Sequence, residues 1–269
     1  MNRTRWPTRR LVLGVLVVAA LGGVAYGLSR AVQAVVGPTS GCTFAGSDGP
    51  AYSLDPDQAQ EASVIAAVGG RLGLPDHAVT IALATSLQET HLRDLPYGDL
   101  DSVGLFQQRP SQGWGSRAQL LDPNYAATAF FQHLEQVPGW TQLAVADAAQ
   151  AVQHSADGAA YAAWASEART LAIDLTGEAP ASVSCRLTGY QGATPASGAL
   201  TAAGENELGL NPFGTDPGPQ QGWRIAGWLV AHAYAYHLPS VSYQNRMWSA
   251  DSGRWAAVPS SNPASVQAG

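Results

Sequence analysis

The sequence predicts a mainly α protein: a helical domain behind an N-terminal transmembrane helix, with a small C-terminal α+β appendix. Three observations carry this. An uncharged run from Leu11 to Leu28 follows a cluster of arginines, helix-start signals recur at Asp55-Pro56 and Asp122-Pro123, and the composition shifts after Cys185 toward Gly, Pro, Ala and Thr.

The run from Leu11 to Leu28, at 1.5 Å rise per residue, makes ~27 Å of helix, close to the thickness of a bilayer core. Arg3, Arg5, Arg9 and Arg10 precede it, so the positive-inside rule keeps residues 1–10 cytoplasmic and sends everything after the span outside. On this reading 11–28 is a single-pass membrane anchor and 29–54 an extracellular lead. The small residues at Ala25-Tyr26-Gly27 leave a second reading open, a cleaved signal and a secreted product.

Charge removes one class of partner. All 14 basic residues are Arg, and beyond residue 30 nine of them stand against 20 acids. So acidic a body has no footprint for nucleic acid, whose binding rests on cations that neutralise phosphates. Cys42 and Cys185 are the only cysteines. Outside the membrane an even pair is expected as a disulfide. Two distant cysteines without a clustered His pair make no zinc site. His232 and His237 are five apart, off the face a helical metal pair needs, and neither a phosphate loop nor a Gly-x-Ser-x-Gly elbow is present. No metal or cofactor is expected.

The stretch 55–177 reads as a helical domain. Asp55-Pro56-Asp57-Gln58 combines an N-cap, Pro at the first helical position and Gln three after the cap, and Val64, Ile65, Val68 and Leu72 follow at helical spacing. Gly73 and Pro75 stop this helix. A second is expected from His77 to Glu89 or Thr90 with Val79, Leu83 and Leu87 as its stripe, and a third after Asp122-Pro123 with Tyr125, Phe130, Phe131 and Leu134 inward. Alanine-rich helices are expected over Val145–His154 and Gly158–Leu175. Residues 92–121 lack periodicity and read as one long loop, of the kind that is usually functional.

Residues 178–218, which contain Cys185, read as a linker, and 219–269 as the small α+β segment. Gln220–Leu238 is its helix, with strands expected over Ser240–Tyr243 and Arg254–Val258 around a turn region at Asn245 and Gly253. Its tryptophans are expected in a small core rather than on a sugar-binding surface.

The chemistry converges on the long loop. Glu89 stands at the end of the second helix, where the partial negative charge of a helix C-terminus favours the protonated carboxyl that a general acid needs. Gly104-Leu105-Phe106-Gln107 follows fifteen residues later. Phe106, Gln107, Gln108, Gln112 and Trp114 offer aromatic faces and amides, the groups a glycan cleft requires, or else a lid with solvated glutamines. Tyr97 equally suits a cleft wall or a helix cap.

Gln88-Glu89-Thr90 followed by Gly104-Leu105-Phe106-Gln107 resembles the Glu-Ser and Gly-Leu-Met-Gln motifs of soluble lytic transglycosylases and goose-type lysozymes. Asp122-Pro123-Asn124-Tyr125 resembles the Asn-Pro-x-x-Asn helix of that lysozyme-like superfamily. The fuller string from Gly98 to Gly115 is similar to an actinobacterial group of membrane-anchored wall proteins. The resemblance covers residues 55–177.

It implies a lysozyme-like domain that binds peptidoglycan glycan strands and cleaves the bond between N-acetylmuramic acid and N-acetylglucosamine. Glu89 matches the glutamate that protonates the bridging oxygen. Gln107 matches the motif glutamine of the cleft, with Ser102, Gly104, Phe106, Gln112 and Trp114 beside it. Asp99 matches the aspartate of a Gly-Asp pair that helps place water in the goose-type enzymes. Two positions depart from the family. Val152-Gln153 stands where the transglycosylases carry Tyr-Asn on a late helix, and Arg109 stands where the goose-type enzymes carry a second aspartate. Asp99 and Asp101 equally suit turn caps or partners of Arg93 or Arg109. The other class of function is a lysozyme-like module that grips wall glycan without cutting it.

Overall fold

A helix buried on every side organises the protein. The computed structural model describes residues 39–46, 49–155, 158–188, 197–213, 216–259 and 264–269. Helix α1 spans Pro56–Arg71 and α2 Asp76–Thr90. The expected stripe of Val79, Leu83 and Leu87 is only part of what α2 buries: Ala78, Ile81, Ala82 and Ala84 are also inaccessible, as are Thr80, Thr85 and Ser86. Its hydroxyls permit this. Thr80 and Thr85 donate to the carbonyls of Asp76 and Ile81, one turn back, at 2.9 and 2.8 Å. Both threonines are thus satisfied within their own helix and cost little to bury.

Around α2 pack α4 (Pro123–Glu135), α5 (Val145–Gln153), a 3-10 segment (Gly158–Trp164) and α6 (Ala165–Leu175). Asp55 and Asp122 cap α1 and α4 as the Asp-Pro signals predict; Gln58 Oε1 accepts from the Asp55 N–H at 2.9 Å, and Asp122 Oδ1 accepts from the Asn124 N–H at 2.9 Å. The predicted helix over 158–175 begins instead as the tighter 3-10 form, and that change of pitch proves decisive for the site. The long loop contains a 3-10 turn at Pro110–Gln112 and one helical turn, α3, at Arg117–Leu120.

The expectation of a mainly α domain with an appendix is corrected. Two antiparallel sheets are present. The first has the order β2-β1-β3, from Gly41–Phe44 (β1), Tyr52–Leu54 (β2) and Val183–Arg186 (β3). Cys42 and Cys185 are opposed in its register and form the predicted disulfide. Part of the predicted linker is therefore a paired strand, and another part is helix α7 (Ser197–Glu207). The second sheet has the order β6-β5-β4-β7, from β4 (Ser240–Tyr243), β5 (Arg246–Ser249), β6 (Arg254–Ala257) and β7 (Gln267–Ala268). Strand β5 was not expected. It returns from β4 through Gln244 and Asn245, both at positive φ, the backbone a two-residue hairpin turn demands.

The C-terminal segment is no appendix, because its core is the core of the whole. Helix α8 (Pro219–Tyr236) packs along α1, with Trp223, Trp228 and Leu229 buried. Trp248 and Trp255 donate from their indole nitrogens to the carbonyls of Cys185 and Val183, which ties the second sheet to the first. His232, buried on α8, lies 3.2 Å from Ser63 of α1 and 3.2 Å from Glu207 of α7. The tryptophans thus serve packing, as expected, but in one shared core.

The predicted membrane span, 11–28, lies outside the described residues, as do residues 1–10 and the lead up to residue 38. Among the described residues no helix is long and apolar enough to cross a membrane. The described part of the architecture accordingly includes no membrane-spanning element.

Candidate active site

Helix α2 ends in a way that fixes Glu89. His91 and Leu92 both take left-handed backbone, at φ 54° and 56°. The His91 N–H then reaches the Leu87 carbonyl at 3.1 Å and the Leu92 N–H reaches Ser86 at 3.3 Å, which closes the last turn. Leu92 is fully buried, so the strained backbone is held by packing. Glu89 lies in that turn, half-buried, one residue from buried Thr90.

The Gly104–Gln107 turn is fastened to the same helix end. The Leu105 carbonyl accepts from Ser86 Oγ at 3.1 Å and from Thr90 Oγ1 at 2.9 Å. Gly104 is a position only glycine fits: its φ is +78°, its N–H donates to Leu95 at 2.8 Å, and a Cβ there would stand 2.1 Å from the Leu120 carbonyl oxygen. Across the turn, Val103 and Gln108 exchange backbone hydrogen bonds.

Two further side chains close on Glu89, and neither was expected. The Tyr161 hydroxyl donates to Glu89 Oε1 at 2.6 Å, and Gln153 Nε2 donates to the same oxygen at 3.3 Å and to the Phe106 carbonyl at 2.8 Å. Gln153 therefore bridges the carboxylate to the motif turn. Tyr161 comes from the 3-10 segment, and a regular α-helix from Gly158 would have aimed it elsewhere. That segment is anchored by Trp164, whose indole donates to Gln88 Oε1 at 2.8 Å and whose ring meets His91 edge-on at 5.1 Å. Burial, and then the bond to Glu89, push the Tyr161 hydroxyl above the usual phenol range, so it stays a donor at neutral pH.

The other predicted residues divide. Phe106 is fully buried and stacks on Phe130 at 4.7 Å, so it gives the site its carbonyl and not a ring face. Gln107, at φ 49°, turns its amide inward to the carbonyls of Tyr97 and Gly104. Ser102 is buried, and its N–H meets the Asp99 carbonyl at 3.0 Å. The Asp99 carboxylate is exposed. Gln112 is exposed, and Trp114 stacks on His133 of α4 at 3.9 Å; neither hydrogen-bonds to Glu89.

Asp101 is a brace. Arg109 Nε donates to it at 2.8 Å and Ser111 through its N–H at 2.8 Å and its hydroxyl at 3.0 Å. The Arg109 and Ser111 hydrogen bonds hold its pKa at about 2. Arg93 pairs instead with Asp55 at 2.7 Å. The loop tip leaves Tyr97 and Leu100 open to solvent.

No family model matches the chain, and no curated protein does. Among the described residues no group of three or more His, Cys, Asp or Glu side chains is placed to hold a metal ion. What the arrangement can do follows from its own atoms. Two donors occupy Glu89 Oε1, and no donor among the described residues meets Oε2. A carboxyl group held so, beside a turn pinned by three side chains, is suited to general acid–base work on a bound ligand.

Proposed function

We propose that the protein cleaves the glycosidic bond between N-acetylmuramic acid and N-acetylglucosamine in peptidoglycan, with Glu89 as the general acid and base. The observation that supports this reading is the clamp on Glu89: Tyr161 and Gln153 converge on one oxygen, and Gln153 ties that oxygen to the turn whose sequence resembles the lytic transglycosylase motif. The tyrosine that the family carries on a late helix has a counterpart here in Tyr161, nine residues after Val152. Asp101 is committed to Arg109 and Ser111, and Asp99 is exposed, so Glu89 is the one carboxylate held against the motif turn. Single-carboxylate cleavage is the transglycosylase route: the same glutamate protonates the leaving oxygen and then accepts the proton of the sugar's own 6-hydroxyl. An inverting hydrolase would need a second carboxylate at ~6.5–9.5 Å to activate water.

The disulfide is compatible with an extracellular or secreted protein, where this substrate lies. Zymography of the purified protein in a wall-containing gel checks the proposal. Clearing by the wild type and none by Glu89→Gln is the expected result. Retention on insoluble wall with no clearing by either protein would replace it with the glycan-binding reading.

A further inference from the structure

At the other end of α2, roughly 20 Å from Glu89 by helical rise, a cavity of about 320 Å³ opens between the end of α1 and the first turns of α2 and α8. Arg224, Asp76, Thr176, Gln220 and Gln221 line it. Arg224 is the side chain the fold itself does not explain. Its Nε is buried without a hydrogen-bond partner, and no carboxylate of the described residues pairs with it. Burial alone moves its pKa, downward. The guanidinium lies over Gly70, where a Cβ would stand 2.2 Å from Nη1, so the absence of a side chain at residue 70 makes its berth.

A half-buried guanidinium whose inaccessible Nε lacks a partner calls for a planar anion, and a carboxylate matches its fork. Gln220 and Gln221 are in the first turn of an 18-residue helix, whose positive end adds to the same preference. The opposite wall has the other sign. Asp76 opens α2 and shares a hydrogen bond with Glu178, which together with burial raises Glu178 to about 7. Arg169 holds the far side of Glu178 at 3.3 Å. The Thr176 hydroxyl donates to the Ala172 carbonyl at 2.8 Å and also hydrogen-bonds with Glu178, which places it on the acidic wall. A cavity with a cationic and an acidic pole repels a simple dianion and a simple cation alike.

We propose that this cavity binds a small zwitterion of the amino-acid or dipeptide class, its carboxylate on Arg224 and its ammonium at Asp76 and Thr176. The site is separate from Glu89 and stands whether or not the wall-cleaving reading holds.

Titration calorimetry of the full chain with alanyl-alanine of each hand, and with acetate, methylammonium and inorganic phosphate as comparators, examines it directly. Saturable one-to-one binding of a dipeptide, tighter than any comparator, is expected. Arg224→Gln should weaken it by about tenfold or more, the worth of one charge-assisted contact. Gly70→Ala covers the case in which Arg224→Gln does not fold: its methyl takes the guanidinium's berth, alanine suits a helix interior, and the same loss of binding is expected. The idea is overturned by phosphate binding more tightly than either dipeptide, by dipeptide affinity unchanged in Gly70→Ala, or by no dipeptide binding up to about 10 mM.

Discussion

The Tyr161 hydroxyl and the Glu89 carboxylate, 72 residues apart in sequence, meet at 2.6 Å. Their bond crosses from a 3-10 segment to the last turn of α2 and decides which oxygen of Glu89 is free. Removing the hydroxyl alone, as Tyr161→Phe, leaves the ring's packing in place. Turnover of labelled peptidoglycan should then fall by roughly ten- to a hundredfold with little change in KM, because a positioning donor is lost and no binding contact. An equal fall in kcat/KM carried wholly by KM would count against the role.

If Glu89 acts alone, as proposed, the product is fixed. Mass spectrometry of digested wall should show 1,6-anhydro sugar ends, and Asp99→Asn should retain most of the activity. Ordinary reducing ends, with Asp99→Asn as inactive as Glu89→Gln, would instead establish hydrolysis.

Stability should decline as pH rises. Burial, then the charges of Asp94 and other nearby acids, lift Glu61 from 4.5 to about 8, and burial with Asp122 lifts Asp94 from 3.8 to about 6. A carboxyl whose folded pKa is raised binds its proton more tightly folded than unfolded. Its contribution is therefore full below the unfolded value and is lost as pH climbs through the folded one. Urea midpoints should fall from about pH 5 to about pH 9, with Glu61→Gln flattening the slope by an amount on the order of a few kcal/mol at most. A midpoint that rises over this range would contradict the assignment.

Gly104→Ala should destabilise the protein by about 2 kcal/mol or more, since positive φ and a clash with a backbone carbonyl act together. A lowered melting temperature with reduced wall cleavage is the expected pair of readings. An unchanged melting temperature would mean that the turn is looser than its hydrogen bonds indicate.

Loss of the disulfide has a calculable ceiling. Closing so long a loop restricts the unfolded chain by up to ~5 kcal/mol, and Cys42→Ser with Cys185→Ser should lower stability by part of that. Differential scanning calorimetry of the double variant measures it.

Much of the helical frame is legible in the sequence, because Asp-Pro caps and apolar spacing act locally: α1 and α4 begin where those signals stand. The disulfide is legible too, from compartment and parity. The strands β1 and β3 are not, since each is four residues long and exists only because its partner lies across the chain. Nor is the all-round burial of α2. Thr80, Thr85 and Ser86 are polar, and their burial follows only from the bonds their hydroxyls make to carbonyls. Glu89 and the Gly104–Gln107 turn stand out through their resemblance to the lytic transglycosylase motifs, whereas Tyr161 does not. It is one tyrosine in the run Gly-Ala-Ala-Tyr-Ala-Ala-Trp, and its aim depends on a 3-10 pitch that alanine does not announce.

The bond between Cys42 and Cys185 also determines how the protein answers a pull on its ends. Tension applied at the two termini enters at β1, crosses the sulfurs and leaves through β3, so the span between the cysteines, 143 positions apart, carries no load through the backbone, Glu89 and Tyr161 included. Stretching the oxidised chain can unravel only what lies outside that ring. Reduction adds about 500 Å of extensible chain, at 3.3–3.6 Å per residue.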